Sequence, residues 1–117
     1  MKAAAFLDRD GVLNIDKGYT YKISDYVWID GAIEAIKFLK EKNYYIFVVT
    51  NQSGIARGLY TEKDVIKLHK EINNELYKHK LKIDEFFYSP YHPDYPGKFS
   101  DLSNLRGLPS CRISFGF

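Results

Sequence analysis

Three observations predict an α/β fold built on a parallel sheet. Apolar or β-branched runs suited to strands alternate with amphipathic stretches in the order strand, helix, strand, helix, strand. The first run, Ala3 to Leu7, ends in two carboxylates one residue apart, Asp8 and Asp10, followed at once by Gly11. The second, Tyr44 to Thr50, ends in a polar, glycine-punctuated loop that continues to Gly58. Acids and hydrogen-bond donors at the carboxyl ends of successive buried strands are how parallel sheets gather ligand-binding groups.

The first motif carries the chemistry. Side chains alternate along an extended chain, so Asp8 and Asp10 share a side while Arg9 turns away. Neighbouring carboxylates resist ionising together, and the pair calls either for a divalent metal between them or for a division into nucleophile and acid. Gly11 lets the backbone turn sharply beside a ligand. By itself an Asp-x-Asp-Gly string reads equally well as a solvated turn, and the remainder of the chain favours the chemical reading.

Val12 to Tyr19 alternates briefly around Gly18, the pattern of a small hairpin or flap beside the acids. After a short apolar piece, Tyr26 to Ile29, Asp30-Gly31 opens a helix with Ala32, Ile33, Ala35, Ile36 and Leu39 on one face, and Asn43 stops it. Tyr44 to Thr50 reads as a parallel strand covered on both faces. Its loop, Asn51-Gln52-Ser53-Gly54-Ile55-Ala56-Arg57-Gly58, supplies amide and hydroxyl donors suited to phosphate oxygens. Thr61 to Asp64 forms a capping box, and Val65, Leu68, Ile72 and Leu76 continue at helical spacing to about His79. His69 and His79 have no acid or cysteine partner placed by spacing and read as surface or boundary residues. Ile83 to Tyr88 is the third strand; Ser89 to Gly97 is a proline-rich loop, and no regular pattern follows from Lys98 to Phe117.

With 117 residues, 45% of them hydrophobic, the chain suits one domain. A net charge of +2, with Lys and Arg scattered among acids, argues against nucleic acid or an anionic membrane as partner. No apolar run approaches the roughly 20 residues of a membrane span, and the start does not read as a signal peptide. Cys111 is the only cysteine, which leaves no internal disulfide. The expected compartment is the cytoplasm.

Asp8-Arg-Asp-Gly after one buried strand, with Thr50-Asn-Gln-Ser-Gly-Ile-Ala-Arg-Gly after the next, resembles the haloacid dehalogenase superfamily of phosphatases, and within it the heptose 1,7-bisphosphate 7-phosphatases. Gly18-Tyr19 and Trp28-Ile-Asp-Gly31 also look like that family, so the resemblance runs from about Ala4 to Arg106. It implies a Rossmann-like three-layer sandwich over residues 1–106, incomplete at its carboxyl end, followed by an atypical tail over 107–117. It implies that Asp8 is the nucleophile, that Asp10 serves as acid and then base, and that Asp8 and the Asp10 carbonyl hold Mg²⁺. Thr50 would contact the phosphoryl group; Asp16, Lys17, Gly18, Tyr19, Asn51, Gln52 and Ser53 would line the sugar, and Arg106 would bind its far end. The implied substrate is a small phosphosugar, in the supply of activated heptose for surface glycans.

The sequence departs from the family where Gly107 stands in place of a phosphate-binding lysine, and the acidic motif that completes the metal site has no counterpart. The family's structural zinc loop is not expected, because Ser89 and Tyr91 occupy ligand positions and His92 stands alone. These departures keep a second reading open, a catalytically impaired remnant that binds a phosphosugar or partner chain; a third, a histidinol-phosphate phosphatase, stays open because those enzymes share much of the first motif, although the Asn51 to Gly58 string looks more like the heptose enzymes. Without later strands the first strand becomes an open edge, an expected route to an oligomer. A reading-frame change or truncation upstream of the tail is expected from the same departures.

Overall fold

The computed structural model describes residues 2–90. Arg106, the tail and the expected limit between the two segments lie outside the described residues, as do Tyr91 and His92. Three strands, β1 (Ala4–Leu7), β2 (Tyr45–Asn51) and β3 (Glu85–Ser89), form one sheet in that spatial order. Both pairs are parallel, with Leu7 opposite Val48 and Thr50 opposite Tyr88. The crossovers carry α1 (Ala32–Glu41) and α2 (Glu62–Tyr77), as the alternation predicts.

Each helix starts where its chemistry dictates. Gly31 precedes α1 with φ at 87°, a left-handed conformation that a side chain would strain. Thr61 caps α2, its Oγ accepting from the Asp64 N–H at 3.2 Å while Asp64 accepts from the Thr61 N–H at 2.9 Å. Asn43, also left-handed, follows the end of α1. α2 stops at Tyr77, slightly before His79, and Lys80 takes the positive-φ turn beyond it.

Ile36 of α1 and Leu68, Ile72 and Leu76 of α2 pack with Ile46 and Val48 into one core. Both helices therefore cover the same face of β2, the arrangement that two right-handed crossovers moving in one direction produce. The opposite face carries Phe6, Phe47 and Phe87, whose ring centroids lie 5.4 and 6.0 Å apart in succession. The strand was expected to be covered on both faces; among the described residues Phe47 and Val49 are only half-buried. Residues 2–90 thus supply the sheet and one helical layer. Ala35 points to solvent, so the buried stripe of α1 is narrower than its apolar pattern.

The flap expected after Gly11 is a wider loop. Asn14 bridges antiparallel to Trp28, the Ile15 N–H donates to Val27 at 2.8 Å, and a short 3-10 turn at Ile23–Asp25 lies within the loop. No described helix is long and apolar enough to cross a membrane.

Asp84 fastens β3 to the rest. Its N–H donates to the Ile46 carbonyl at 2.8 Å, its carboxylate accepts from the Ile46 N–H at 2.7 Å, and Lys40 of α1 donates to the same oxygen at 2.6 Å. Burial alone would raise its pKa, but these donors outweigh burial and hold it below the ordinary value. Asp84→Ala removes a charged acceptor from two donors, and urea unfolding is expected to show a loss of about 1–3 kcal/mol.

Candidate active site

The site forms where the ends of β1 and β2 meet the 11–29 loop. Asp8 is accessible, and its carboxylate accepts from the Arg9 N–H at 2.8 Å. Partial burial pushes its pKa up; the Arg9 N–H opposes this, and the charges of Asp10 and Asp16 add to the rise. Asp10 is held much more tightly. Its Oδ1 accepts from Arg9 Nε at 3.1 Å, Arg9 Nη2 at 3.0 Å and Asn14 Nδ2 at 3.0 Å. With three donors on Oδ1, Oδ2 is the oxygen left to exchange a proton or face a ligand, with Gln52 Nε2 3.5 Å away.

Alternation predicts that Arg9 turns away from the acids, and its side chain does enter the interior, where it has no exposed surface. An arginine is long enough to return, and its guanidinium comes back onto Asp10. Nη2 also donates to the Thr20 carbonyl at 3.0 Å, and Nη1 lies 3.2 Å from His69 Nε2. Contrary to the expectation of a surface or boundary residue, His69 is buried and stacks on Phe86 with centroids 4.2 Å apart. It falls on the Val65, Leu68, Ile72, Leu76 stripe of α2, and that spacing was the available signal. Burial, and then the Arg9 charge, push its pKa down to about 3, so the ring is neutral.

Thr50 and Gln52 are both buried. Gln52 Nε2 donates to Thr50 Oγ1 at 2.7 Å, and the Tyr60 hydroxyl donates to Gln52 Oε1 at 2.7 Å. Burial raises the Tyr60 pKa to about 12, which keeps the phenol a donor. Gly54 packs directly under that ring, where an added Cβ would lie 2.2 Å from Tyr60 Cε1. Asn51 is exposed and Ser53 half-buried on either side of Gln52.

Asp16, Lys17, Gly18 and Tyr19 form an exposed rim, with Asp16 accepting from the Gly18 N–H at 2.9 Å. The rim reaches the β2 loop through Tyr19, whose ring centroid is 5.7 Å from the Arg57 guanidinium, and through Tyr21 stacked on Tyr60 at 5.2 Å. The structure thus brings Asp8, Asp10, Thr50 and Gln52 together and sets residues 16–19 beside them. Sequence reasoning missed Arg9, His69, Tyr60 and Arg57 as parts of this assembly.

A hard divalent cation fits the donor set. Asp8, Asp10 and Asp16 lie close enough for the charges of the last two to raise the first, and a cation among them would relieve that repulsion. No cluster of three His, Cys, Asp or Glu side chains suited to a metal occurs among the described residues. Mg²⁺ needs no such cage, since it binds through one or two carboxylates with phosphate and water completing its shell.

The chain is similar to known phosphatases. No family model matches it. It is 49% identical over 88 residues to a D-glycero-alpha-D-manno-heptose-1,7-bisphosphate 7-phosphatase of Campylobacter jejuni, a match covering 75% of this chain and 51% of the relative. It is 43% identical over 106 residues to a D-glycero-beta-D-manno-heptose-1,7-bisphosphate 7-phosphatase of Pasteurella multocida, covering 91% of this chain and 58% of the relative. The crystal structure of a D,D-heptose 1,7-bisphosphate phosphatase from B. bronchiseptica, complexed with magnesium and phosphate, superposes with a TM-score of 0.71 at 34% identity. That match covers 80% of this chain and 52% of the other. The chain spans about half the length of the curated relatives it matches. The resemblance read from its two motifs is therefore shown, and its parallel α/β fold is that of the haloacid dehalogenase-like phosphatases.

Two expectations follow from these contacts. Gly54→Ala forces the Tyr60 ring off Gln52, and a loss of about 1–3 kcal/mol is expected in thermal or urea unfolding. Because the folded His69 pKa lies below its ordinary 6.5, the unfolded chain binds the extra proton first as pH falls. Stability should therefore drop between about pH 6 and pH 4, with His69 contributing up to about 1.4 kcal/mol per pH unit. Urea titrations of the parent and of His69→Gln, which lacks this group, measure the difference in slope.

Proposed function

We propose that this chain is the amino-terminal, nucleophile-bearing part of a Mg²⁺-dependent phosphomonoester hydrolase acting on a heptose 1,7-bisphosphate. The observation that carries the reading is the unequal environment of the two acids. Asp8 stands accessible at the end of β1, while Asp10 is fixed through Oδ1 and presents Oδ2. An open carboxylate suits attack on phosphorus, and an immobilised one suits timed proton transfer. The similarity to heptose-bisphosphate phosphatases supports the substrate class.

In this reading an Asp8 oxygen attacks the phosphorus, a P–O bond to Asp8 forms, and the P–O bond to the sugar breaks. Asp10 Oδ2 delivers the proton that the departing sugar oxygen needs. The same oxygen then takes a proton from water as that water attacks the phosphoryl-aspartate, releasing inorganic phosphate and restoring Asp8. Asp8 and the Asp10 carbonyl would hold Mg²⁺, which when bound screens the phosphate charge from the attacking carboxylate. Thr50 Oγ1, already oriented by Gln52, contacts the transferring group. Asn51, Ser53 and the 16–19 rim line the sugar, and Arg106 binds its far end.

A second reading, a phosphosugar-binding remnant, is favoured by Gly107 at the position of the family's phosphate-binding lysine. Phosphate release from heptose 1,7-bisphosphate in Mg²⁺ separates the two. The hydrolase reading expects release by the parent and a fall on the order of 10⁴-fold in Asp8→Asn. A folded parent that binds the sugar phosphate and releases nothing sinks it in favour of the remnant. Faster release from histidinol phosphate in a substrate panel overturns the substrate assignment alone.

A further inference from the structure

We propose that His69 is a positioning residue for Asp10, acting through Arg9. A guanidinium carries only donors, so the 3.2 Å contact between Arg9 Nη1 and His69 Nε2 places the accepting lone pair on Nε2 and the ring proton on Nδ1. Arg9 then makes four contacts, two to Asp10 Oδ1 and one each to the Thr20 carbonyl and His69. Together they fix the guanidinium against rotation. The fork that holds Oδ1 is only as well aimed as the group anchoring its far end, and His69 is that anchor.

Packing alone does not account for a histidine here. Its neighbours on the buried stripe of α2, Val65, Leu68, Ile72 and Leu76, are all apolar. A phenylalanine would supply the stack on Phe86 and the edge contact with Tyr88, whose centroid lies 6.2 Å away. Burying an imidazole costs its hydration, and among the hydrogen bonds of the described residues the contact with Arg9 offsets that cost. Phe86 and Tyr88 fix the plane of the ring, so Nε2 is presented to Arg9 from β3 and α2 together. Residue 69 thereby couples the far crossover to the acid that follows β1.

The effect on catalysis rests on the phosphatase reading, and the test separates the two. His69→Phe keeps the ring and the stack without an acceptor, while His69→Gln restores an acceptor on a flexible chain. Turnover is compared on heptose 1,7-bisphosphate, whose leaving oxygen needs a proton, and on p-nitrophenyl phosphate, whose leaving group does not. His69→Phe is expected to lower kcat/KM on the sugar phosphate about 10- to 100-fold. On p-nitrophenyl phosphate kcat/KM, which reports formation of the phosphoryl-aspartate and not its Asp10-assisted hydrolysis, should fall by less than about threefold, and His69→Gln should recover most of the sugar-phosphate value. Equal losses on both substrates, or none, overturn the proposal. NMR of the Arg9 side-chain N–H groups without metal gives an answer independent of turnover. Slowly exchanging signals in the parent and His69→Gln that vanish in His69→Phe support the anchor, and signals unchanged in His69→Phe overturn it. A parent with no turnover fails the phosphatase reading and leaves the NMR result to decide the positioning.

Discussion

A guanidinium with no exposed surface has to find acceptors in the interior, and Arg9 finds them on three separate parts of the chain. The Asp10 carboxylate, the Thr20 carbonyl in the 11–29 loop and the His69 ring on α2 all converge on it. Its own carbonyl accepts from the N–H groups of Leu13 and Asn14 at 2.8 and 3.2 Å, which closes the turn after the acids. Removing one partner of such a buried charge typically costs about 3–5 kcal/mol, so loop, helix and strand end are bound to a common geometry. The acid that the loop delivers therefore inherits its orientation from the core.

A second polar network meets the first from the β2 side. Tyr60 donates to Gln52, Gln52 donates to Thr50, and the same amide approaches Asp10 Oδ2. The Tyr60–Gln52 and Gln52–Thr50 links are buried, where a mispaired polar group is costly and a well-paired one is rigid. Gly54 is small because the Tyr60 ring lies on it, so a packing requirement in the loop sets the hydrogen bond that reaches the site. The first network holds Asp10 through Oδ1, the second comes within 3.5 Å of Oδ2, and Asp8 is left open, which is the asymmetry that the proposed division into proton carrier and nucleophile uses. Rigidity at one carboxylate and access at the other follow from which elements surround them.

Much of this architecture was legible in the residues. The alternation of strand and helix patterns, the capping box at Thr61 and the acids after β1 each arise from local chemistry, and the structure bears them out. The expectation of a strand covered on both faces did not hold within residues 2–90, because periodicity reports that a side chain is apolar and not which layer covers it. His69 was misplaced for a related reason. The lack of an acid or cysteine partner at helical spacing pointed to the surface or boundary, whereas its position on the stripe, three and four residues from Ile72 and Val65, put it inside.

The sequence by itself determined the order of the elements and the two motifs at the strand ends, because hydrophobic period, turn chemistry and helix caps act over a few residues. Packing in three dimensions set the return of Arg9 to Asp10, the contact of His69 with Arg9 from 60 positions away, and the place of Gln52 as a buried strut between Thr50 and Tyr60. Those contacts join residues far apart in the chain, and they exist because a desolvated polar group binds whichever partner the packed core brings within reach.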